Sequence, residues 1–173
     1  PEVRQVGPGN CPTCGMALEP EDVTAAEDDT ELRDMTRRFW VGALLTVPLL
    51  AVAMTEFVPG WHDRIAHAMG AGFGWLQFAL ATPTVLWAGW PFFVRAWLSL
   101  KNRSLNMFTL IALGVGVAYA FSIVALLFPE VLPAAFRQGG RTPLYFEAAA
   151  VITVLVLLGQ VLELRARSRT SSA

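Results

Sequence analysis

The chain has 173 residues, of which 54% are hydrophobic and 16% charged, and its mean hydropathy is +0.48. This composition is too apolar for an ordinary soluble domain and indicates a membrane protein in contact with a lipid bilayer. The formal net charge of -1 provides no basic field for nucleic acid, which argues against that class of partner.

Near the N-terminus, Cys11 and Cys14 are separated by two residues, one of them a proline, and a glycine follows. Such a tight turn can direct both sulfurs at one ion. Thiolates favour Cu(I) or Zn(II), and the thioether of Met16 would suit Cu(I). A redox pair and a site that holds no metal are the alternatives.

Carboxylates dominate residues 21–36, where Arg33 is the one basic residue. A run of this kind is usually solvated, so the segment is predicted to be an acidic linker. Metal collection is the second interpretation.

Four apolar segments follow the linker, at residues 39–58, 75–93, 107–128 and 145–164. Each approaches the ~20 residues that a helix needs to cross a hydrocarbon core of about 30 Å. The predicted fold is therefore an all-α membrane protein with four transmembrane helices and a short irregular metal-binding segment at its N-terminus.

Basic residues predict the orientation of these helices. They cluster before the first segment, between the second and third, and after the fourth: Arg33, Arg37, Arg38, Arg95, Lys101, Arg103, Arg165, Arg167 and Arg169. Because positive charge stays on the cytoplasmic side, both termini and the middle loop are expected there, with the helices arranged as two hairpins. A bacterial inner membrane is the default location.

The second segment is predicted to kink near its end. Gly89 has no side chain and Pro91 cannot donate a backbone hydrogen bond. Beyond them, apolar residues alternate at helical spacing with Arg95, Lys101 and Arg103, which predicts an amphipathic helix in the membrane interface. This helix would serve as a membrane anchor, as a docking platform for an acidic soluble partner, or as both.

A thioether and two carboxylates lie at the ends of the last two segments. Met107 and Glu163 fall at the predicted cytoplasmic face, and Glu147 lies about 24 Å from Glu163 along the helix, near the opposite face. Such groups suit an entrance and an exit for a metal ion, and a thioether favours a soft monovalent one.

Each of the three also has a simpler interpretation. Met107 could fill space at a helix start, and Glu163 could pair with the arginine four residues later. Glu147 could complement the positive end of its helix, with Thr142 as N-cap and the following proline as the first helical residue.

Several stretches of the sequence resemble copper-transporting P-type ATPases of the heavy-metal family. Residues 105–114, 145–152 and 159–167 resemble the first two core membrane helices, and residues 81–93 resemble the kinked part of the two extra helices of heavy-metal pumps. The Cys11–Met16 motif resembles the second half of a small heavy-metal-binding domain.

The resemblance implies a transported ion, Cu(I), with Ag(I) as an alternative, and a cytoplasmic copper chaperone as partner. Met107 and Glu163 would be the entrance ligands, with Glu147 on the release path. Cys11 and Cys14 would form an N-terminal metal site.

The residues implied for the docking platform are Gly89, Arg95, Lys101 and Arg103. In this sequence Ala88 replaces one glycine of the pair that the family commonly has at the kink.

The resemblance also divides the chain. It implies a partial heavy-metal-binding domain (1–20), the acidic linker (21–36), two family-specific helices with the platform (37–104), two core helices (105–167) and the start of an actuator connection (168–173).

The family's Asp-Lys-Thr-Gly-Thr, Thr-Gly-Glu and Cys-Pro-Cys motifs do not occur in the sequence. The chain is therefore expected to be a fragment without ATPase activity of its own, because ATP and Mg²⁺ would act only with the remaining domains.

Two other functions stay open at this point. One is a non-enzymatic membrane module for metal binding or chaperone docking, and the other is a four-helix membrane scaffold without a metal role.

Overall fold

The computed structural model describes Cys11, residues 25–54, Gly70, residues 72–133 and residues 143–170, without the side chains of residues 25–29 and 167–170. Every regular element in this part of the chain is helical. The predicted all-α class is therefore confirmed for the described residues.

The described α-helices are labelled α1 to α5 in chain order. They are α1 (Ala25–Met54), α2 (Gly72–Thr82), α3 (Trp90–Lys101), α4 (Met107–Leu127) and α5 (Phe146–Thr170). A π-helical segment, Pro83–Ala88, follows α2, and a 3-10 turn, Pro129–Val131, follows α4. The most extensive packing in the structure is between α1 and α5.

Three stretches of the described helices are long and apolar enough to cross a membrane: Thr30–Met54, Met107–Leu127 and Phe146–Ala166. They correspond to the first, third and fourth predicted segments. The predicted end of the first segment, residues 55–58, lies outside the described residues. The second predicted segment is not one α-helix, because residues 75–93 are shared by α2, the π-helical segment and α3.

Proline and glycine account for this interruption. Pro83, at the start of the π-helical segment, has no N–H to donate. At its end, the Gly89 N–H donates to the Thr84 carbonyl, five residues back, over 3.1 Å, which is the π-helical spacing. Gly89 then precedes α3 as its N-cap.

The segment predicted as an acidic linker, residues 21–36, is helical from Ala25 onward and packs against other helices. The reason is packing. Met35 is buried in a cluster with Leu157 and Val161 of α5, and Glu31 forms an ion pair with Arg95 of α3. These contacts give the acidic end of α1 a surface to fold against, and a solvated linker would have none.

The simpler interpretation of Glu147 started the last helix at Pro143, and the structure does not show that start. Residues 143–145 are not helical and α5 begins at Phe146, one residue after the start of the predicted segment 145–164, so Pro143 is not the first helical residue. Thr142, the N-cap of that interpretation, lies outside the described residues. Tyr145 precedes the helix, and its carbonyl accepts from the Ala149 N–H over 3.1 Å. Its own N–H donates to Ser122 Oγ of α4 over 2.7 Å, which fixes this start against α4.

Two apolar clusters hold the helices together. We name the first the Phe146 cluster; Phe146 packs there edge-on against Phe78 and Tyr119, with ring centroids 5.8 Å apart in both pairs. We name the second the Phe108 cluster, which lies nearer Met107. Its buried members are Met35, Ala88, Phe92, Phe108, Leu157 and Val161.

Candidate functional site

Met107 is the first residue of α4, and its side chain is 61% exposed. Asn106 caps this helix: the Thr109 N–H donates to Asn106 Oδ1 (3.1 Å), and the Asn106 N–H donates to Thr109 Oγ1 (3.4 Å). Such a capping box satisfies backbone donors that a helix start leaves open. Met107 therefore lies on a fixed backbone with an accessible thioether and does not fill space in the core.

The turn before Met107 is tied to α3 by hydroxyl groups. Ser99, which is buried near the end of α3, donates from Oγ to the Ser104 carbonyl and accepts from Thr109 Oγ1 over 2.8 Å. The Ser104 N–H donates to the Ser99 carbonyl over 3.0 Å. These bonds join the end of α3 to the start of α4.

Glu163 is exposed on α5, two residues beyond the buried Val161 of the Phe108 cluster. Its Oε2 accepts from Gln160 Nε2 over 3.0 Å. The predicted pairing with Arg167 is untested, because that side chain lies outside the described part of the chain.

Arg95 connects three helices at this end of the fold. Its Nη1 donates to Gln160 Oε1 of α5 over 2.8 Å, and its Nη2 donates to Glu31 Oε1 of α1 over 2.9 Å. The guanidinium carbon lies 5.1 Å from the centroid of the Phe108 ring. Phe108 directly follows Met107 in the chain. A hydrogen-bonded chain thus runs from Glu31 through Arg95 and Gln160 to Glu163; we name it the Arg95 network.

Arg95, predicted from the sequence as a docking residue, is buried in the structure, and its docking role stays a prediction. Only 6% of it is exposed, whereas a docking residue must reach a partner. The physical reason is the ion pair with Glu31, since a buried arginine needs an opposite charge and hydrogen-bond acceptors. The alternation of apolar and basic residues in α3 predicted an exposed basic face. The N-terminal part of α1 covers Arg95, because Glu31 of α1 contacts its guanidinium.

The other platform residues lie as follows. Lys101, at the end of α3, and Arg103, in the turn beyond it, are exposed. Gly89 is buried at the start of α3 and contributes no side chain. Large apolar side chains of α3 are also exposed, namely Trp90, Val94, Trp97 and Leu100.

The remaining predicted ligands are Glu147, Cys11 and Cys14. Glu147 is half-buried in the first turn of α5. Cys11 is half-buried, and Cys14 lies outside the described residues. Within the described residues, no three His, Cys, Asp or Glu side chains form a group that could hold a metal ion.

Sequence reasoning missed Glu31 and Gln160 as parts of the site. Gln160 precedes Glu163 by three residues, a helical spacing at which side chains meet, so it could have been found. Glu31 carried no local signal, because its contact with Arg95 depends on α1 beginning well upstream of the apolar segment.

Membrane-length helices with a polar, charged network at one end are typical of membrane proteins that move ions. Comparison with curated proteins defines the class more closely. The chain is 57% identical over 176 residues to a silver-exporting P-type ATPase of Salmonella typhimurium and 58% identical over 175 residues to a copper-exporting P-type ATPase of Legionella pneumophila. It is 52% identical over 177 residues to a copper-transporting P-type ATPase of Rhizobium leguminosarum.

These three matches cover the whole chain, but the chain spans only 21%, 23% and 21% of the length of those relatives. No family model matches the chain, and no solved structure matches it. The resemblance to copper-transporting P-type ATPases is confirmed: along its full length, this chain is homologous to a part of copper- and silver-exporting P-type ATPases.

Proposed function

We propose that this chain is the ion-entrance portion of an ATP-driven heavy-metal exporter, in which Met107 and Glu163 receive Cu(I) at the cytoplasmic face. The observation that carries the proposal is the accessible thioether of Met107 on a capped helix start. The next residue, Phe108, contacts Arg95 of the Arg95 network. The thioether suits a soft monovalent ion, and the carboxylate, a weaker ligand for such an ion, would let it bind and then move on. Ag(I) would use the same ligands.

The membrane arrangement follows from the same proposal. The four predicted segments would form two hairpins with both termini in the cytoplasm of a bacterial cell, as the distribution of basic residues favours. The chain would turn at Gly89, so that α3 lies in the membrane interface with its exposed tryptophans toward lipid.

Helix α3 would also be the docking site for the protein that delivers the ion. Lys101 and Arg103 are exposed at the end of α3, in the turn that leads to Met107. An acidic cytoplasmic copper chaperone that docks on these charges would release its ion close to the entrance. The Cys11 and Cys14 pair would collect the same ion, and Glu147 would lie on the path by which it leaves.

Energy for export would come from parts that this chain does not supply. The chain spans about a fifth of its relatives, and ATP and Mg²⁺ would be used by the remaining domains of the full-length protein.

The experiment that tests the proposal is a competition titration of the detergent-solubilised chain with Cu(I) and a chelator. Four proteins are compared: the unchanged chain, Cys11→Ala/Cys14→Ala, Met107→Ala, and the three changes together. We expect one site to survive loss of both cysteines and to be weakened at least tenfold by Met107→Ala, because the soft ligand is lost.

The control is Met54→Ala, which removes another exposed methionine at the end of α1. It should leave the titration unchanged. If all binding disappears with the two cysteines, the helices hold no ion, and the chain is a membrane scaffold whose metal site lies only in its N-terminal segment.

A further inference from the structure

We propose that Arg95 is a positioning residue that orients Glu163 toward the incoming ion through Gln160. The inference rests on the proposed function, because it assigns a role to Arg95 only if Glu163 is an ion ligand. It gives Arg95 a role inside the site, whereas sequence reasoning placed this residue on a docking surface.

The direction of the hydrogen bonds carries the argument. A guanidinium can only donate, and an ionised carboxylate can only accept. Gln160 lies between one of each: its Oε1 accepts from Arg95 (2.8 Å), and its Nε2 donates to Glu163 Oε2 (3.0 Å). Only one orientation of the amide satisfies both neighbours, so the bond from Arg95 favours the orientation in which Gln160 donates to Glu163.

Burial strengthens this coupling. Arg95 is buried and Gln160 is half-buried, so their hydrogen bond competes little with water. In such surroundings, linked hydrogen bonds polarise and reinforce one another. The Gln160 amide therefore holds the Glu163 carboxylate more firmly with Arg95 in place than without it.

Charge balance explains why the link needs two additional residues. A guanidinium paired directly with Glu163 would neutralise the carboxylate and compete with the metal cation. Gln160 separates the two groups as a neutral spacer, and Glu31 supplies the opposite charge from α1 at 2.9 Å. The positive charge of Arg95 is thus satisfied away from the carboxylate that would bind the ion.

The same guanidinium also contacts the other half of the site. It lies over the Phe108 ring at 5.1 Å, and this ring stacks on Phe92 of α3 with centroids 5.9 Å apart. Phe108 directly follows Met107. One buried group on α3 therefore touches both the start of α4 and, through Gln160, the ligand on α5.

The test is a double-mutant cycle on Ag(I) affinity, measured by chelator competition in the Cys11→Ala/Cys14→Ala background. Arg95→Gln is made with Glu163 intact and again with Glu163→Gln. We expect Arg95→Gln to lower affinity about tenfold with Glu163 intact, as for residues that orient metal ligands. With Glu163→Gln, the same change should cost less than about twofold, because nothing is left to orient.

Two further variants separate positioning from folding. Gln160→Leu removes the amide but keeps the Arg95–Glu31 pair, and it should lower affinity as much as Arg95→Gln does. Arg95→Lys keeps a donor and a charge and should recover part of the loss. The matched control is Arg33→Gln, an exposed arginine of α1, which should change nothing.

The outcomes are distinguishable. An equal loss from Arg95→Gln in both backgrounds, or no loss in either, overturns the positioning role and leaves the proposed function intact. If Glu163→Gln alone has no effect on Ag(I) affinity, Glu163 is not a ligand, and both the positioning role and this part of the proposed function are wrong.

Discussion

Replacement of Gly89 by alanine is expected to lower the free energy of unfolding by about 1–3 kcal/mol, the usual cost of inserting atoms into a packed interior. A Cβ at this position would collide with the Val85 carbonyl oxygen and would lie 3.0 Å from Thr153 Cγ2 of α5. A backbone oxygen cannot move aside as the end of a flexible side chain can. The added atom would therefore push the start of α3 away from α5.

The matched control is Gly114→Ala. A Cβ at Gly114, on an exposed face of α4, meets nothing within 4 Å. Alanine is the better helix former by about 0.5–1 kcal/mol, so this variant should be as stable as the unchanged chain or slightly more stable. Reversible unfolding in mixed micelles would measure both variants. Equal stabilities for the two variants would show that Gly89 is not a point of close approach.

Replacement of Phe146 by alanine is expected to have the largest effect on stability, about 3–5 kcal/mol. Phe146 is 0% exposed and packs against both Phe78 and Tyr119. Its loss leaves a cavity between α2, α4 and α5. The cost holds even in a bilayer, since lipid cannot restore the lost contacts inside the protein.

Phe128→Ala is the control for this prediction, because Phe128 follows α4 and is 58% exposed. Its unfolding free energy should stay within about 0.5 kcal/mol of the unchanged chain. Phe146→Ala should also weaken Ag(I) binding less than Met107→Ala does, since Phe146 belongs to the cluster farther from Met107. A Phe146→Ala variant as stable as Phe128→Ala would mean that the Phe146 cluster does not hold the helices together.

The long helices could be predicted from the sequence because their signal is local. The third predicted segment, residues 107–128, ends one residue beyond α4 (Met107–Leu127). Gly89 and Pro91 predicted a kink in the second segment, and that kink stays a prediction; the structure shows that the segment is divided by a π-helical stretch that ends before Gly89. The π-helical geometry that begins at Pro83 could not be predicted, because it depends on which carbonyl the Gly89 N–H reaches.

Two features of the fold that could not be predicted from the sequence share one cause. The extent of α1 upstream of the membrane segment and the start of α5 at Phe146 are both set by tertiary contacts. Glu31 finds Arg95 on another helix, and the Tyr145 N–H finds Ser122 Oγ. A run of carboxylates or a Thr-Pro pair carries no information about such partners.

In the candidate site too, some residues could be predicted from the sequence and others depend on tertiary contacts. Met107 and Glu163 were visible in the sequence as a thioether and a carboxylate at segment ends. The burial of Arg95 against Phe108 and Gln160 could not be predicted, because basic residues alternate with apolar ones in the same way on a covered and on an exposed helix face. The contacts of Glu31 and Gln160 convert an apparent surface charge into an internal one.

The central claim is that the Met107 thioether binds the ion, and X-ray absorption at the copper edge tests it most directly. The sample is the Cys11→Ala/Cys14→Ala chain loaded with one equivalent of Cu(I), compared with the same protein carrying Met107→Ala or Met54→Ala. We predict a sulfur ligand in the first coordination shell that persists in Met54→Ala and disappears in Met107→Ala. A first shell with only nitrogen and oxygen, or a sulfur ligand that remains after Met107→Ala, would contradict the account.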